Sequence, residues 1–312
     1  MLPLTPSQYW DREATAPVTP PDASWMAHRL VREYINERIS GRPGGWPLDW
    51  FQSRYPRTFE RCLSVGCGTG ALERDLVRRG IARTVEAFDA SPESLRIAQE
   101  TAEAEGVADR IRYSIGDFNN IRLPLQTYDL VCFHQSLHHV SELEHLLDQV
   151  RRSLKDDGLL YLDEFVGPSR GDWNDYAIRW YRAMYQLFPR DRRFFESFAM
   201  PVQEEDPSEA IRSGDILTRL FIGFDVEEFR GYGGNLLAML FPDLRVETLD
   251  DETVRTIILA ERAMLGSGAR DFHAIITARP KRGVIPSIRY RLEGRYPRAA
   301  NRLRAIRDAI RG

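Results

Sequence analysis

The chain has 312 residues, of which 43% are hydrophobic and 29% are charged, and its formal net charge is −3. These values exclude a disordered or collagen-like chain and are typical of a globular protein with a full core. No window approaches the roughly 20 apolar residues of a membrane span, and the start lacks the basic and apolar regions of a signal peptide.

Helix-like sequence precedes the first predicted strand. Residues 1–60 contain a proline-spaced start, an amphipathic segment over 24–40 and an aromatic stretch around Trp46 and Trp50. We expect these residues to form an N-terminal helical cap.

From residue 61 the chain alternates short apolar runs with amphipathic segments. The apolar runs predict strands over 61–66, 83–89, 110–117, 128–136 and 159–166. The segments between them predict helices over 70–80, 91–106 and 141–158. In the last of these helices, Ser141 as N-cap and Glu144 as N3 have the capping-box pattern. This alternation predicts a parallel sheet covered by helices, with ligands bound at the carboxyl ends of its strands.

The pattern changes after the fifth strand. Residues 167–220 predict a helical insertion over the upper edge of the sheet, and two more strands follow over 224–233 and 271–280. The expected total is seven strands. Residues 281–312 carry ten basic and two acidic side chains, which predicts a basic C-terminal tail with an amphipathic helix.

Three glycines follow the first predicted strand, at Gly66, Gly68 and Gly70. A glycine turn between a strand and a helix normally brings bare main chain against a nucleotide. Gly66, Gly68 and Ala71 also fit the G-x-G-x-x-A pattern of dinucleotide enzymes, with Asp89 at the distance of a ribose-binding acid. Nothing downstream resembles a nicotinamide site or a second nucleotide half, which favours a different nucleotide.

Residues 61–166 resemble the class I S-adenosylmethionine-dependent methyltransferases in five motifs, which occur in the family's order. The motifs are VGCGTG, FDAS, GDFNN, YDLVCFHQSLHHV and LKDDGLLYLDE. The resemblance implies an α/β fold with a Rossmann-like seven-stranded sheet, strand 7 antiparallel, and helices on both faces. It places the methyltransferase domain at 61–280, between the N-terminal cap and the basic tail.

The resemblance also implies S-adenosyl-L-methionine as the cofactor and methyl donor. Asp89 would bind the ribose hydroxyls, and Asp117 would meet the adenine amino group. The donor-binding residues that it implies are Gly66, Cys67, Gly68, Gly70, Asp89, Ala90, Asp117, Phe118, His134 and Gln135.

Four of the six histidines lie just beyond the fourth predicted strand, where the methyl group of the donor should be. A hydroxyl acceptor needs a base, and histidine is the commonest general base. Sugar methyltransferases of this class often place a base at the position of His139, so His139 is the first catalytic candidate and His138 the second. The alternative is that one imidazole only shapes the pocket or caps the next helix.

Asp163 and Glu164 end the fifth predicted strand, and strand alternation allows at most one of them to point into the pocket. Glu164 is the third catalytic candidate, as an acid that binds a substrate hydroxyl or orients a histidine. The alternatives are a helix cap, a salt bridge, or an Mg²⁺ ligand. No further acidic cluster supports Mg²⁺, so no metal site is predicted.

The predicted reaction is methylation of an oxygen on a small molecule, with a sugar or glycan hydroxyl as the acceptor. The alternatives are N- or C-methylation of a natural product, and a donor-binding scaffold without activity. Aromatic residues of the flanks either line a substrate cavity or pack in the core. They are Tyr9, Trp10, Tyr34, Trp173, Trp180, Tyr181 and Tyr185.

The cysteines and the tail bear on compartment and partners. Cys62, Cys67 and Cys132 lack metal-ligand spacing and predict buried free thiols in a reducing cytoplasm. The tail helix suits docking on a membrane surface, on a partner or on its own domain, and the favoured alternative is a solvated basic helix without a partner. Nucleic acid is not an expected partner, because Tyr290 and Tyr296 are the only stacking aromatics of the tail. The oligomeric state is left open.

Overall fold

Seven strands form a single mixed sheet in the computed structural model of the protein. The structure describes residues 5–16, 25–26, 28–173, 175–198 and 206–282. The described residues up to Lys281 belong to one compact unit, and Arg282 lies outside it. Apart from Lys281 and Arg282, the predicted basic tail lies outside the described residues. Within the described part of the chain, no helix has the length and apolar content needed to cross a membrane.

The sheet has the order β3-β2-β1-β4-β5-β7-β6. Its strands are β1 (Phe59–Val65), β2 (Ala82–Asp89), β3 (Ile111–Ile115), β4 (Tyr128–His134), β5 (Leu154–Phe165), β6 (Phe224–Gly233) and β7 (His273–Pro280). Strands β1 to β5 pair in parallel, and β7 lies antiparallel between β5 and β6. The predicted Rossmann-like sheet with an antiparallel seventh strand is confirmed.

Helices cover both faces of the sheet. They are α1 (Pro6–Thr15), α2 (Arg29–Ser40), α3 (Pro47–Arg54), α4 (Ala71–Arg78), α5 (Pro92–Ala104), α6 (Leu143–Ser153), α7 (Asp175–Tyr185), α8 (Ile216–Gly223), α9 (Leu237–Leu240) and α10 (Asp251–Gly266). Buried strand residues alternate between two apolar cores, as a strand covered on both faces requires. In β4, Leu130 packs in the core that contains Leu76 of α4, and Val131 packs in the core that contains Val150 of α6.

The predicted start of α6 is wrong in detail. The helix has Glu142 as N-cap, without a side-chain cap bond. Both the backbone N–H and the hydroxyl of Ser141 donate instead to Oδ1 of Asn119, each at 3.0 Å. The acid expected to complete the capping box, Glu144, forms an ion pair with Arg212 at 2.7 Å. Tertiary partners therefore replace the local cap.

Helix α6 also ends five residues earlier than the sequence predicted. Its last residue is Ser153, and β5 begins at Leu154 because Leu154 pairs with Tyr128 at the start of β4. An irregularity in the register follows this pair. The pairing of β4 with β5 thus overrides the helical pattern of the sequence.

The proline-spaced start contains a helix that the sequence pattern did not reveal. Thr5 is the N-cap of α1, Pro6 is its first residue, and Gln8 closes a capping box with Thr5. Proline fits the first turn of a helix because its missing N–H would have no partner there. This short helix covers the site described below.

We expect Gly66→Ala to destabilise the protein more than Gly68→Ala does. Both glycines are left-handed, with φ of 69° and 51°, so each alanine costs about 1–2 kcal/mol in backbone strain. A Cβ on Gly66 would also lie 2.6 Å from Cβ of Ser136, whereas none of the described atoms lies within 4 Å of a Cβ on Gly68. Urea unfolding of the two variants measures the difference. Equal free energies of unfolding would show that the close contact at Gly66 relaxes without cost.

Candidate active site

The turn between β1 and α4 borders a cavity of about 710 Å³, a size that suits a nucleotide-sized ligand. Nine of the ten residues predicted to bind the donor line this cavity: Gly66, Cys67, Gly68, Asp89, Ala90, Asp117, Phe118, His134 and Gln135. The tenth, Gly70, is the buried N-cap of α4 and is not on the wall.

The glycine turn presents bare main chain to the cavity. Its neighbours leave no room for a side chain at Gly66. A Cβ there would meet Ser136 at 2.6 Å and the ring of Phe118 at 3.5 Å, and both residues also line the cavity. The turn therefore fits a ligand that is held against bare backbone, as the nucleoside part of the predicted donor requires.

Asp89 connects the end of β2 to the glycine turn. Its carboxylate accepts hydrogen bonds from the N–H of Gly68 at 2.8 Å and from the N–H of Ser91 at 2.9 Å. Burial raises the pKa of Asp89, and these backbone hydrogen bonds oppose the rise. The Asp89 side chain thus stabilises the glycine turn and also presents a hydrogen-bond acceptor to the cavity.

Asp117 and Phe118 follow β3 at the same edge of the sheet. The carboxylate of Asp117 is exposed and accepts hydrogen bonds from the N–H of Asn119 at 2.9 Å and from Nδ2 of Asn120 at 2.7 Å. Ile115 is 69% exposed and lines the cavity beside them. This loop presents one carboxylate and apolar faces to the ligand space.

His134 and Gln135 follow β4. Gln135 has a positive φ of 53°, a strained conformation for a non-glycine residue that clusters at functional sites. Its N–H donates to the carbonyl oxygen of Asp163 at 2.8 Å. The carboxylate of Asp163 accepts a hydrogen bond from Tyr232 at 2.6 Å and lies 3.7 Å from Nε2 of His134. Asp163 therefore anchors this segment.

Glu164 is fully buried and faces the opposite way from Asp163. Its Oε1 accepts hydrogen bonds from the N–H groups of Ser136 and Leu137, both at 2.5 Å. Its Oε2 lies 2.8 Å from Nδ1 of His138. Burial alone would lower the pKa of His138, but Glu164 and Glu209 outweigh it and raise the pKa. Glu164 orients His138 and the loop, and neither residue lines the cavity.

His139 does line the cavity, and its ring is fixed from behind. Nδ1 lies 3.1 Å from the hydroxyl of Ser208, and that hydroxyl donates to Oδ1 of Asp206 at 2.6 Å. Since the hydroxyl has only one proton, it accepts from His139, which puts hydrogen on Nδ1 and a lone pair on Nε2. Burial and the neighbouring His138 hold the pKa of His139 well below its usual range.

Glu209 closes the group between the two imidazoles. Its Oε2 lies 3.9 Å from Nε2 of His138 and 3.9 Å from Nε2 of His139. Burial raises the pKa of Glu209, and His138 opposes the rise. We call His138, His139 and Glu209 the histidine cluster.

Helix α1 covers the cavity and contacts both of its ends. The Ser7 hydroxyl donates to the carbonyl oxygen of Ala90 at 2.9 Å, and Asp11 accepts from the hydroxyl of Ser91 at 2.7 Å. The ring of Trp10 packs edge-on against His139, with the centroids 5.2 Å apart. α1 thus joins the donor end of the cavity to the histidine cluster.

Trp10 is the only aromatic residue of the predicted flanks that lines this cavity. Tyr9, Tyr34, Tyr181 and Tyr185 are buried, and Trp173 and Trp180 are partly buried against the apolar core. Six of these seven side chains therefore pack in or against the core, which is the second of the two interpretations given for them above.

Sequence reasoning missed several residues of the site. The segment 206–209 contains Asp206 and Ser208, which support His139, and Glu209, the third member of the histidine cluster. Its sequence indicates only an acidic loop. Glu73 was also missed, because an acid in the first turn of α4 is an ordinary helix feature. It lines the cavity and is fully buried, which raises its pKa.

The strand order, the glycine turn and the acid at the end of β2 define the nucleotide site of a class I methyltransferase fold. Residues 62–158 match a family model described as a methyltransferase domain. The ubiquinone biosynthesis O-methyltransferase of Actinobacillus pleuropneumoniae serotype 5b (strain L20) is 27% identical over 162 residues, which are 50% of this chain and 67% of that protein.

A second relative and one solved structure extend this likeness. The ubiquinone/menaquinone biosynthesis C-methyltransferase UbiE of Hydrogenovibrio crunogenus (strain DSM 25203 / XCL-2) is 23% identical over 221 residues, 69% of this chain and 80% of that protein. The crystal structure of the [4+2]-cyclase SpnF is similar with a TM-score of 0.51 at 18% identity, and the match covers 90% of this chain and 98% of that chain. The structural likeness concerns the fold alone.

Residues 62–158 form a methyltransferase domain, and the protein is an S-adenosylmethionine-dependent methyltransferase. S-adenosylmethionine is its cofactor.

We expect Asp89→Ala to weaken the binding of S-adenosylhomocysteine by about 1.5–3 kcal/mol, the contribution of a hydrogen bond to a charged group. Calorimetric titration measures the change. Asp89→Asn is the matched variant, because an amide oxygen can still accept from Gly68 and support the turn. Unchanged affinity in Asp89→Ala would remove Asp89 from the donor site.

Saturating S-adenosylhomocysteine should slow the cleavage of α1 by trypsin at Arg12, because ligand binding favours the closed form. Limited proteolysis followed by mass spectrometry gives the rate. The Asp89→Ala variant at the same ligand concentration is the control and should show less protection. Equal rates with and without ligand in the unmodified protein would mean that α1 does not act as a lid.

Proposed function

We propose that the protein transfers the methyl group of S-adenosylmethionine to a hydroxyl oxygen of a small organic acceptor. The observation that carries this proposal is the position of His139. Its ring lies in the cavity wall, and its Nδ1 is held by Ser208 and Asp206, so a lone pair is left on Nε2. A buried base beside a donor site suits an acceptor that must lose a proton.

We assign the donor to the glycine turn and the loops after β2 and β3. Gly66 and Gly68 would meet it with backbone, Asp89 would accept from its ribose hydroxyls, and Asp117 from its adenine amino group. His134 and Gln135 would face its amino acid portion. These assignments are supported by the cavity that these residues share.

The reaction is an in-line displacement. S-adenosylmethionine supplies a methyl group on a sulfonium sulfur, and the carbon–sulfur bond breaks with its electron pair left on sulfur, so that S-adenosylhomocysteine is released. The acceptor oxygen forms the new bond to carbon with its own electron pair. The histidine cluster takes the hydroxyl proton, and Trp10 and α1 keep water away from the reacting atoms. Positioning in such a closed space supplies much of the rate.

The acceptor class follows from the cavity wall around His139. Trp10, Pro207 and Ile211 line that part of the cavity and offer mainly apolar surface. The relatives described above are named for ubiquinone or menaquinone biosynthesis. Both observations favour a hydroxyl on an apolar, ring-bearing molecule over the sugar or glycan hydroxyl that the sequence suggested. For a sugar, Trp10 is the flank aromatic residue that offers a stacking face beside His139.

C-methylation is the second candidate. The relative that is named as a C-methyltransferase matches a larger share of this chain, 69%, than the O-methyltransferase does, 50%. An aromatic carbon next to a phenolic hydroxyl also becomes a nucleophile when that hydroxyl is deprotonated. The same histidine cluster would then remove the hydroxyl proton in either reaction. The position of the methyl group in the product distinguishes O-methylation from C-methylation.

We expect His139→Ala to lower turnover by roughly 10²–10⁴-fold, the contribution of a general acid–base group, while the affinity for S-adenosylhomocysteine stays unchanged. The assay follows S-adenosylhomocysteine release with phenols, sugars and amines as acceptors. His145→Ala is the control, because His145 lies on α6, bonds the carbonyl oxygen of Ile121 and does not line the cavity.

A loss below tenfold in His139→Ala with a phenolic acceptor would contradict the assigned role. Methyl transfer to amines alone would defeat the O-methylation proposal and leave the fold and the cofactor in place. Donor binding without product from any acceptor, together with no methyl transfer in a cell lysate, would favour the scaffold alternative.

A further inference from the structure

Three atoms with available lone pairs converge in the histidine cluster. Oε2 of Glu209 lies 3.9 Å from each Nε2 of His138 and His139, and the three ligand atoms lie within 4.8 Å of one another. A neutral imidazole whose Nδ1 carries hydrogen presents only a lone pair at Nε2. A single proton can bridge one pair of these atoms, whereas a cation at the centre satisfies all three.

The groups that contact Nδ1 of each imidazole hold hydrogen on that atom and leave the lone pair of Nε2 available. Glu164 faces Nδ1 of His138 at 2.8 Å, and Ser208 with Asp206 holds Nδ1 of His139. Carboxylates or hydrogen-bond acceptors behind Nδ1 are the usual support of metal-bound histidines, because they fix the tautomer and the ring orientation. Both rings are more than nine-tenths buried, so their positions are set by packing.

We propose that His138, His139 and Glu209 bind a divalent first-row transition metal ion. Two imidazole nitrogens and one carboxylate oxygen are a ligand set of catalytic Zn²⁺ and of Fe²⁺ sites with open positions. Mg²⁺ and Ca²⁺ prefer oxygen ligands and do not suit this set. Ligand atoms about 2.1 Å from one tetrahedral ion lie about 3.4 Å apart. Side-chain adjustment must therefore shorten the 3.9 Å from Glu209 to each imidazole and bring together three atoms that lie within 4.8 Å of one another.

The ion would lie where His139 meets the cavity, with positions left for a ligand from the cavity side. A hydroxyl oxygen bound to such an ion ionises more readily, because the cation stabilises the oxyanion. In the metal-bound protein Nε2 of His139 would therefore be a ligand and not the proton acceptor of the proposed reaction. This binding site goes beyond the proposed function, since metal binding needs neither the acceptor nor the donor.

The test is a titration of the untagged full chain, first freed of metal with a chelator, with Co²⁺ and with Zn²⁺. Calorimetry and the visible absorption of Co²⁺ report binding and coordination. We expect one ion per chain, no comparable binding of Mg²⁺, and at least a 10–100-fold weaker affinity in Glu209→Gln. Ser208→Ala, which removes the support of His139, should weaken binding by about 10–100-fold. His145→Gln is the control for the loss of an unrelated histidine.

Wild-type binding that is no tighter than that of Glu209→Gln would overturn the proposal, as would equal affinity for Mg²⁺. Binding of S-adenosylhomocysteine checks that each variant is folded. If Glu209→Gln fails this check, Ser208→Ala replaces it, and wild-type metal binding that is no tighter than that of Ser208→Ala overturns the proposal. Failure of the titration leaves the proposed function standing, because methyl transfer by the chelated enzyme is measured separately.

Discussion

The buried carboxylate of Glu164 ties the end of β5 to the loop that follows β4. It accepts two backbone N–H groups of that loop through one oxygen and faces His138 through the other. A buried carboxylate is costly unless its oxygens are hydrogen-bonded, so these three contacts must form together. The loop that they fix contains both imidazoles of the histidine cluster, so these contacts determine where the proposed base His139 lies. Neighbouring parallel strands end at the same edge of the sheet, which is why one side chain of β5 can reach this loop.

The strained backbone of Gln135 lies in the same loop after β4. A left-handed residue directly after β4 turns the chain sharply, and the bond from its N–H to Asp163 holds the turn. Asp163 and Glu164 are adjacent in β5, so their side chains leave the strand on opposite faces. Asp163 supports the turn at Gln135 through its backbone carbonyl and through Oδ1, which accepts from Nε2 of Gln135 at 3.4 Å, and Glu164 supports His138. The two neighbouring acids of β5 thus fix two successive parts of one loop, which explains why both are buried.

The sequence was sufficient for the parts that local chemistry determines. The glycines after β1 predicted a bare turn, Asp89 was placed correctly at the end of β2, and the βα alternation predicted the sheet. It was insufficient where tertiary contacts outweigh local preference, as at Ser141, whose cap bond is replaced by Asn119. The supports of His139 come from residues 206–209, almost 70 positions away along the chain, so no spacing rule could connect them. The helix α1 lies in the proline-spaced start of the predicted helical cap, where no separate helix was predicted.

In the proposed function, donor binding and chemistry depend on different strands. The residues assigned to the nucleoside follow β1, β2 and β3, whereas the histidine cluster depends on β4, β5 and the segment 206–209. Changes more than about 7–10 Å apart without shared partners usually act independently, so the donor can be retained while the acceptor changes. Helix α1 is the exception, because Asp11 contacts the start of α5 and Trp10 contacts His139. In the proposed function, a ligand that repositioned α1 at the donor end would therefore also move the wall beside His139, and donor binding would be coupled to closure over the reacting atoms.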